Sequence, residues 1–362
     1  MKIGLLAYST NTGLGYQTEE FYKNMKPAKV LIADLSKHNG VETHHERFHQ
    51  PRIDPCTSKS LLSDESCEWL VDGMDAVFIC ETPLNYYLFE YANRKGVKTI
   101  LQYNYEFLDY FNKPELPKPR VLATPSMWGA HVVHKKNWAE VMYWPVPIDI
   151  RRFKFRRAEK VDEFVHIIGR PAAYDRNGTI PFLKAAQMIE GDYTFTVYLQ
   201  EPKEKRTDVY YQIIKAELDN AKRVLGDRLE IIVDVADNTE MYAKGQILVL
   251  PRKYGGLCLP LWEALSAGMP VIMPNIIPNN SILPSDWLVE CKINGSFESR
   301  TNIILHETNP DILAKKMLEV AEHISTANMK ARELAETMSW DTQRPKYYET
   351  LKGICKSSSM TK

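Results

Sequence analysis

The chain has 362 residues, 44% hydrophobic and 25% charged, a composition that suits an ordered globular protein with more than one core and excludes a disordered chain. Lys+Arg and Asp+Glu both number 46, so net charge supplies no general pull toward nucleic acid or membrane. No apolar run reaches the ~20 residues of a membrane span, the opening "MKIGLLAYS" turns polar after six residues, and six scattered cysteines form no CxxC pair. These features lead us to expect a reduced, cytoplasmic protein without a leader.

In chain order, "KIGLLAYSTNTGLGYQTEEFYKNM" reads as a short apolar strand, a small-polar loop carrying Gly13 and Gly15, and a helix. Further strand-like runs follow at 28–35, 75–80, 97–103 and 119–125, with amphipathic stretches between some of them. After "YWPVPIDIRRFKFRRAEKVDE" the rhythm restarts, with strands expected at 164–169, 193–199, 229–235, 246–251 and 270–274. Continuous apolar strands alternating with helices imply parallel sheets covered on both faces. The tail from Pro310 is helical by spacing. The expected division is a Rossmann-like domain over 1–150, a second over 151–330, and a helical segment over 331–362 that returns to the first.

Within "PRKYGGLCLPLWEALSAGMPVIMPN" (251–275), Pro251 and two glycines break the preceding strand before a helix begins near Leu259 and Pro260, and Gly268 suits its end. Gly255 and Gly256 leave backbone N–H groups open to an anion at a positive helix terminus, which describes a phosphate cradle. Glu263, one turn further in, is placed to accept hydrogen bonds from the vicinal hydroxyls of a ribose. On spacing alone the commoner reading is that it complements the helix dipole and that the glycines make a tight turn.

This stretch resembles the nucleotide-sugar signature of the family-4 glycosyltransferases, retaining enzymes of the GT-B fold. Other segments resemble that family in the same order: "STNTGLGYQ" its N-terminal glycine loop, "ATPSMW" the strand and serine before the crossover, "WPVPIDIRRF" its "PNGVDxxxF", and "IIGRPAAYDRNGTIPFLKAA" its "VGRLxxxKGxxxLLxA". The resemblance implies an α/β GT-B architecture, two Rossmann-like domains whose parallel sheets face a central cleft, with C-terminal helices crossing back. It further implies a nucleoside-diphosphate sugar as donor, with no separate cofactor. Glu263 would hold the ribose, and Arg170 and Arg176 the diphosphate. The backbone at Gly255, Gly256, Leu257 and Cys258 would meet sugar or phosphate, and Gly13 and Gly15 would lie near the donor phosphates. The chain departs from the family's Glu-x7-Glu pattern, because the position eight before Glu263 is Gly255.

No Asp-x-Asp triplet occurs, so no metal site is expected, and departure of the diphosphate would be helped by arginines and helix-terminal amides. Acceptor-side groups are expected at strand ends of the first domain, where "ICETP" supplies Glu81 and "LQYNYEF" supplies Tyr103, Asn104 and Glu106. His44, His45 and His49 lack the HExxH order of a zinc site. The run "RRFKFRRAEK" (151–160) reads as a solvated linker with buried aromatics. A catalytically inactive sugar-nucleotide binder and a Rossmann oxidoreductase are the competing readings, and the oxidoreductase lacks the third fingerprint glycine. The sequence also resembles a compact subgroup associated with tailed phages, which implies hydroxymethylated DNA bases among the acceptors, alongside proteins and surface glycans.

Overall fold

The computed structural model describes residues 1–201 and 209–357. Residues 358–362 of the expected C-terminal segment lie outside the described residues. The chain forms two compact units, one of 1–147 with 299–301 and the helix Trp340–Lys356, the other of 148–298 and 302–339.

The first unit is built on seven strands: β1 (Ile3–Ala7), β2 (Lys29–Ala33), β3 (Arg52–Asp54), β4 (Ala76–Cys80), β5 (Lys98–Gln102), β6 (Val121–Thr124) and β7 (Glu140–Tyr143). They lie in the order β3-β2-β1-β4-β5-β6-β7, all neighbours parallel, with Leu5 opposite Val30 on one side and Phe78 on the other. Side-chain alternation serves both faces of this sheet. Phe78 and Cys80 enter one apolar cluster, while Val77 and Ile79 enter the other. The helix Trp340–Lys356 contributes Trp340, Tyr347, Leu351 and Ile354 to the first cluster, against Phe21, Phe78 and Trp144. Aromatic side chains buried this way contribute roughly 1.5–3 kcal/mol each, which fixes that helix to a sheet distant in sequence.

The second unit repeats the plan with β8 (Glu163–Gly169), β9 (Thr194–Leu199), β10 (Leu229–Val233), β11 (Ile247–Val249), β12 (Val271–Pro274) and β13 (Leu288–Val289), in the parallel order β10-β9-β8-β11-β12-β13. An antiparallel hairpin, β14 (Cys291–Glu298) and β15 (Asn302–Thr308), follows with a bulge between Ile293 and Ser296. The order in which the chain adds strands therefore reverses once in each sheet, between β1 and β4 and between β8 and β11. At such a reversal the loops leaving two adjacent strands diverge and open a crevice at the carboxyl edge. The α/β reading with two Rossmann-like parallel sheets holds, whereas the short strands β3, β7 and β13 and the hairpin escaped the sequence pattern.

The reading of 151–160 as a solvated linker with buried aromatics holds for its exposed residues and for the buried Phe153, and is corrected where the segment is tied into the second unit. Arg156 donates to the carbonyls of Tyr242, Lys244 and Gly245 at 3.1, 2.7 and 2.5 Å, and Phe153 packs edge-on to Tyr242 with centroids 5.4 Å apart. These side chains belong to the scaffold of the second unit. Arg151, Lys154, Arg157, Glu159 and Lys160 around them are exposed.

Candidate nucleotide-sugar site

In the second unit the crevice lies between the loop after β8, residues 170–178, and the loop after β11, residues 250–258. Two features hold these loops together. The Lys253 amide donates to the Arg176 carbonyl at 2.9 Å. Gly178, at φ 72°, runs so close to the second loop that a Cβ there would lie 2.1 Å from the Pro251 oxygen, so only glycine satisfies both the dihedral and the approach. Beneath them His166 of β8 is fully buried. Its Nδ1 donates to the Val249 carbonyl at 2.7 Å, and its Nε2 lies 3.1 Å from the Thr179 hydroxyl. The ring thus ties β8, β11 and the helix Thr179–Met188 at one point, and burial pushes its pKa down to about 4, keeping it neutral.

Asp175 caps that helix, accepting from the Thr179 and Ile180 amides at 2.8 and 2.9 Å. Burial nevertheless raises its pKa to about 6. Asp175 joins Arg170, Arg176 and Asn177 in lining a small recess. Arg170 is exposed and makes no ion pair among the described residues. The Arg176 guanidinium lies over the Tyr254 ring, 5.1 Å from its centroid, and Tyr254 in turn meets Phe297 of β14. The two arginines named from the sequence therefore share one recess.

On the facing loop, Leu259–Ala267 forms the expected helix, with proline in its first turn and Gly268 closing it at φ 86°. The amides of Gly256, Leu257 and Cys258 donate to no protein acceptor among the described residues. With the helix terminus behind them, they present a row of backbone donors whose chemistry suits an anion.

Glu263 is 7% exposed and is not the open acceptor that its spacing suggests. Asn238 Nδ2 donates to its Oε1 at 2.9 Å, and the Tyr242 hydroxyl donates to its Oε2. Arg152 donates to Asn238 Oδ1 at 2.9 Å, which fixes the amide's orientation. Burial raises the Glu263 pKa to about 7 even though Tyr242, Arg152 and Asn238 all favour the carboxylate. Each oxygen keeps a further lone pair for a ligand hydroxyl, so the carboxylate is held in position rather than left free.

Asn238, Tyr242 and Arg152 were not singled out from the sequence. Part of the signal was present, since Asp237 and Glu240 make a capping box that opens the short turn Asn238–Tyr242. The register that aims this turn at Glu263 is tertiary.

Gly255, where the family pattern has its first glutamate, adopts φ 127°. A Cβ there would meet Arg252 Nη2 at 2.5 Å and Arg176 Nη2 at 2.9 Å. The departure is therefore built into the backbone and its neighbours, beyond the loss of one side chain.

In the first unit, Gly13 and Gly15 open the helix Gly13–Met25 after β1, with Thr12 as its cap. Gly13 is exposed. Gly15 is required by packing, because a Cβ would lie 1.8 Å from the Thr10 oxygen. Glu81 follows β4 at φ 59°, a dihedral that a non-glycine residue adopts only when its surroundings enforce it. Asn104 Nδ2 donates to Glu81 Oε1 at 2.7 Å, so these two strand-end residues meet as a pair. Glu106 is buried in the next turn, at 7% exposure, and Tyr103 is buried at 1%. Among the histidines, His45 faces Asp34 at 3.6 Å and His44 faces Glu46 at 3.4 Å, and no metal-ligand cluster forms among the described residues.

No protein-family model and no curated protein sequence matches the chain. Among solved structures, a glycosyltransferase from Rickettsia africae ESF-5 superposes with a TM-score of 0.71 at 13% identity, covering 99% of each chain. Anabaena Alr3699/HepE in complex with UDP-glucose gives 0.69 at 13% identity over 98% of this chain and 100% of that one. Sucrose-phosphate synthase from Thermosynechococcus elongatus gives 0.67 at 13% identity over 99% and 100%. The chain thus shares the fold of GT-B glycosyltransferases, two Rossmann-like parallel-sheet domains.

Proposed function

We propose that this protein is a glycosyltransferase that binds a nucleoside-diphosphate sugar in its second unit and passes the sugar to an acceptor hydroxyl. The observation that carries the reading is the set of groups gathered at the β8/β11 reversal. Arg170 and Arg176 share one loop, the amides of Gly256 to Cys258 stand at a helix N-terminus, and Glu263 is held one turn in. A diphosphate needs the first two, and a ribose diol needs the third. The UDP-glucose complex of the Anabaena neighbour supports a donor of this class.

In this mechanism Glu263 accepts the ribose hydroxyls while Asn238 and Tyr242 hold its rotamer. Arg170, Arg176 and the helix-terminal amides stabilise the charge that grows on the departing diphosphate, a role that needs no metal ion. The acceptor hydroxyl attacks on the face the diphosphate leaves, so the anomeric configuration is retained. Glu81, fixed by Asn104, is the acceptor-side group of choice, with Glu106 second. Hydroxymethylated DNA, protein and surface glycan are the acceptor classes to assay.

The decisive experiment is calorimetric titration of UDP, GDP and ADP against the wild type and Glu263→Ala. Removing a charged acceptor from two hydroxyl donors weakens the best binder by roughly 1.5–3 kcal/mol. An unchanged affinity in a folded variant returns Glu263 to the scaffold.

A further inference from the structure

Arg252 is a buried charge that the donor site as described leaves unused. It follows β11 and is 7% exposed. It forms no ion pair among the described residues, and its Nε has no hydrogen-bond partner. Among the described residues the one hydrogen bond of its guanidinium is a long one from Nη1 to the Leu257 carbonyl at 3.4 Å. A buried guanidinium satisfied by a single marginal bond is costly, because desolvation is offset only when a counter-charge is near. Its Nη2 and that of Arg176 converge on one point above Gly255, 2.5 and 2.9 Å from where a Cβ would stand. Two like charges brought to one point repel each other until an anion bridges them. Gly255, held at φ 127°, leaves that point open.

We infer that Arg252 and Arg176 form a second oxyanion seat over Gly255, filled by an anionic group of the bound donor. This inference rests on the donor-site reading above. The chemistry is that of a planar guanidinium pair gripping two oxygens. Two parts of a donor supply such oxygens: a diphosphate oxygen, or a carboxylate on the glycosyl group itself. In the second case the protein is built for an acidic sugar.

The test is calorimetric titration of UDP, UDP-glucose and UDP-glucuronate against the wild type, Arg252→Gln and Arg252→Lys, with thermal denaturation to establish folding. A loss of at least tenfold for all three ligands in Arg252→Gln places a phosphate oxygen in the seat. A loss of that size for UDP-glucuronate alone, with wild-type preference for it over UDP-glucose, places a sugar carboxylate there. In either case Arg252→Lys, which keeps the charge without the fork, recovers only part of the loss. Unchanged binding of all three ligands to a folded Arg252→Gln overturns the seat and leaves the donor site standing. Failure of both variants to fold assigns Arg252 to the scaffold and also overturns the seat. Failure of the wild type to bind UDP, GDP or ADP sinks the donor-site reading, and the seat with it.

Discussion

Glu263→Gln isolates the cost of keeping a carboxylate at the bottom of the site. The substitution preserves shape and can still accept from Asn238 while donating to the Tyr242 hydroxyl oxygen. In the folded protein burial raises the Glu263 pKa from 4.5 to about 7. Between these values the unfolded chain has released the proton and the folded protein still holds it, so stability falls as pH rises through this window. The cost is complete above pH 7 and corresponds to about 3 kcal/mol. Glutamine carries no such term. The stability of Glu263→Gln relative to wild type should therefore improve by about 3 kcal/mol between pH 4 and pH 8, or very roughly 6–12 °C in Tm for a unit of this size. Because the comparison is a difference, the opposite linkage of His166 and that of Asp175 cancel. Scanning calorimetry of both proteins across the range is the assay. A difference that does not vary with pH, or that grows in favour of glutamate, would show that Arg152, Asn238 and Tyr242 hold the group ionised, refuting the argument from burial.

Gly178→Ala should destabilise the second unit by roughly 2–4 kcal/mol, combining a left-handed dihedral with overpacking against Pro251. Gly169→Ala, at φ 59° with nothing within 4 Å of its Cβ, should cost only the dihedral share, about 1–2 kcal/mol; equal losses in urea unfolding would mean that the two loops are not tightly apposed. Arg170→Ala and Arg176→Ala should lower kcat more than they raise the donor KM, since leaving-group charge is greatest in the transition state, and EDTA should leave the rate unchanged. Full activity in the double variant, or strong metal dependence, would remove them from that role. Nucleotide affinity should rise by up to about tenfold in total between pH 6 and pH 8 as Glu263, with its pKa near 7, ionises, and Glu263→Gln should flatten the profile in calorimetric titration.

Much of this protein was legible in its sequence because local rules wrote it. Apolar runs such as "VFIC" and "FVHIIG" specify buried parallel strands whichever neighbours they find, and Pro260 and Gly268 bracket a helix through their own dihedral preferences. The elements that escaped have weak local signals. β7 is largely exposed, β3 has three residues and β13 two, and in the hairpin the turn-favouring pair Asn294–Gly295 sits in the bulge instead of the reversal.

The site divides in the same way. Arg170, Arg176, Glu263 and the glycine pair lie in motifs short enough to read along the chain. Tertiary structure alone brought Asn238 and Tyr242 onto Glu263 from 25 and 21 residues away, set Arg152 behind them, and turned Arg252 toward Arg176. The physical reason is that a pKa and a hydrogen-bond partner belong to a place in space. In an open parallel sheet that place is decided by which two strands flank the reversal, a choice made by packing across the whole unit and not by the residues on either side of Glu263.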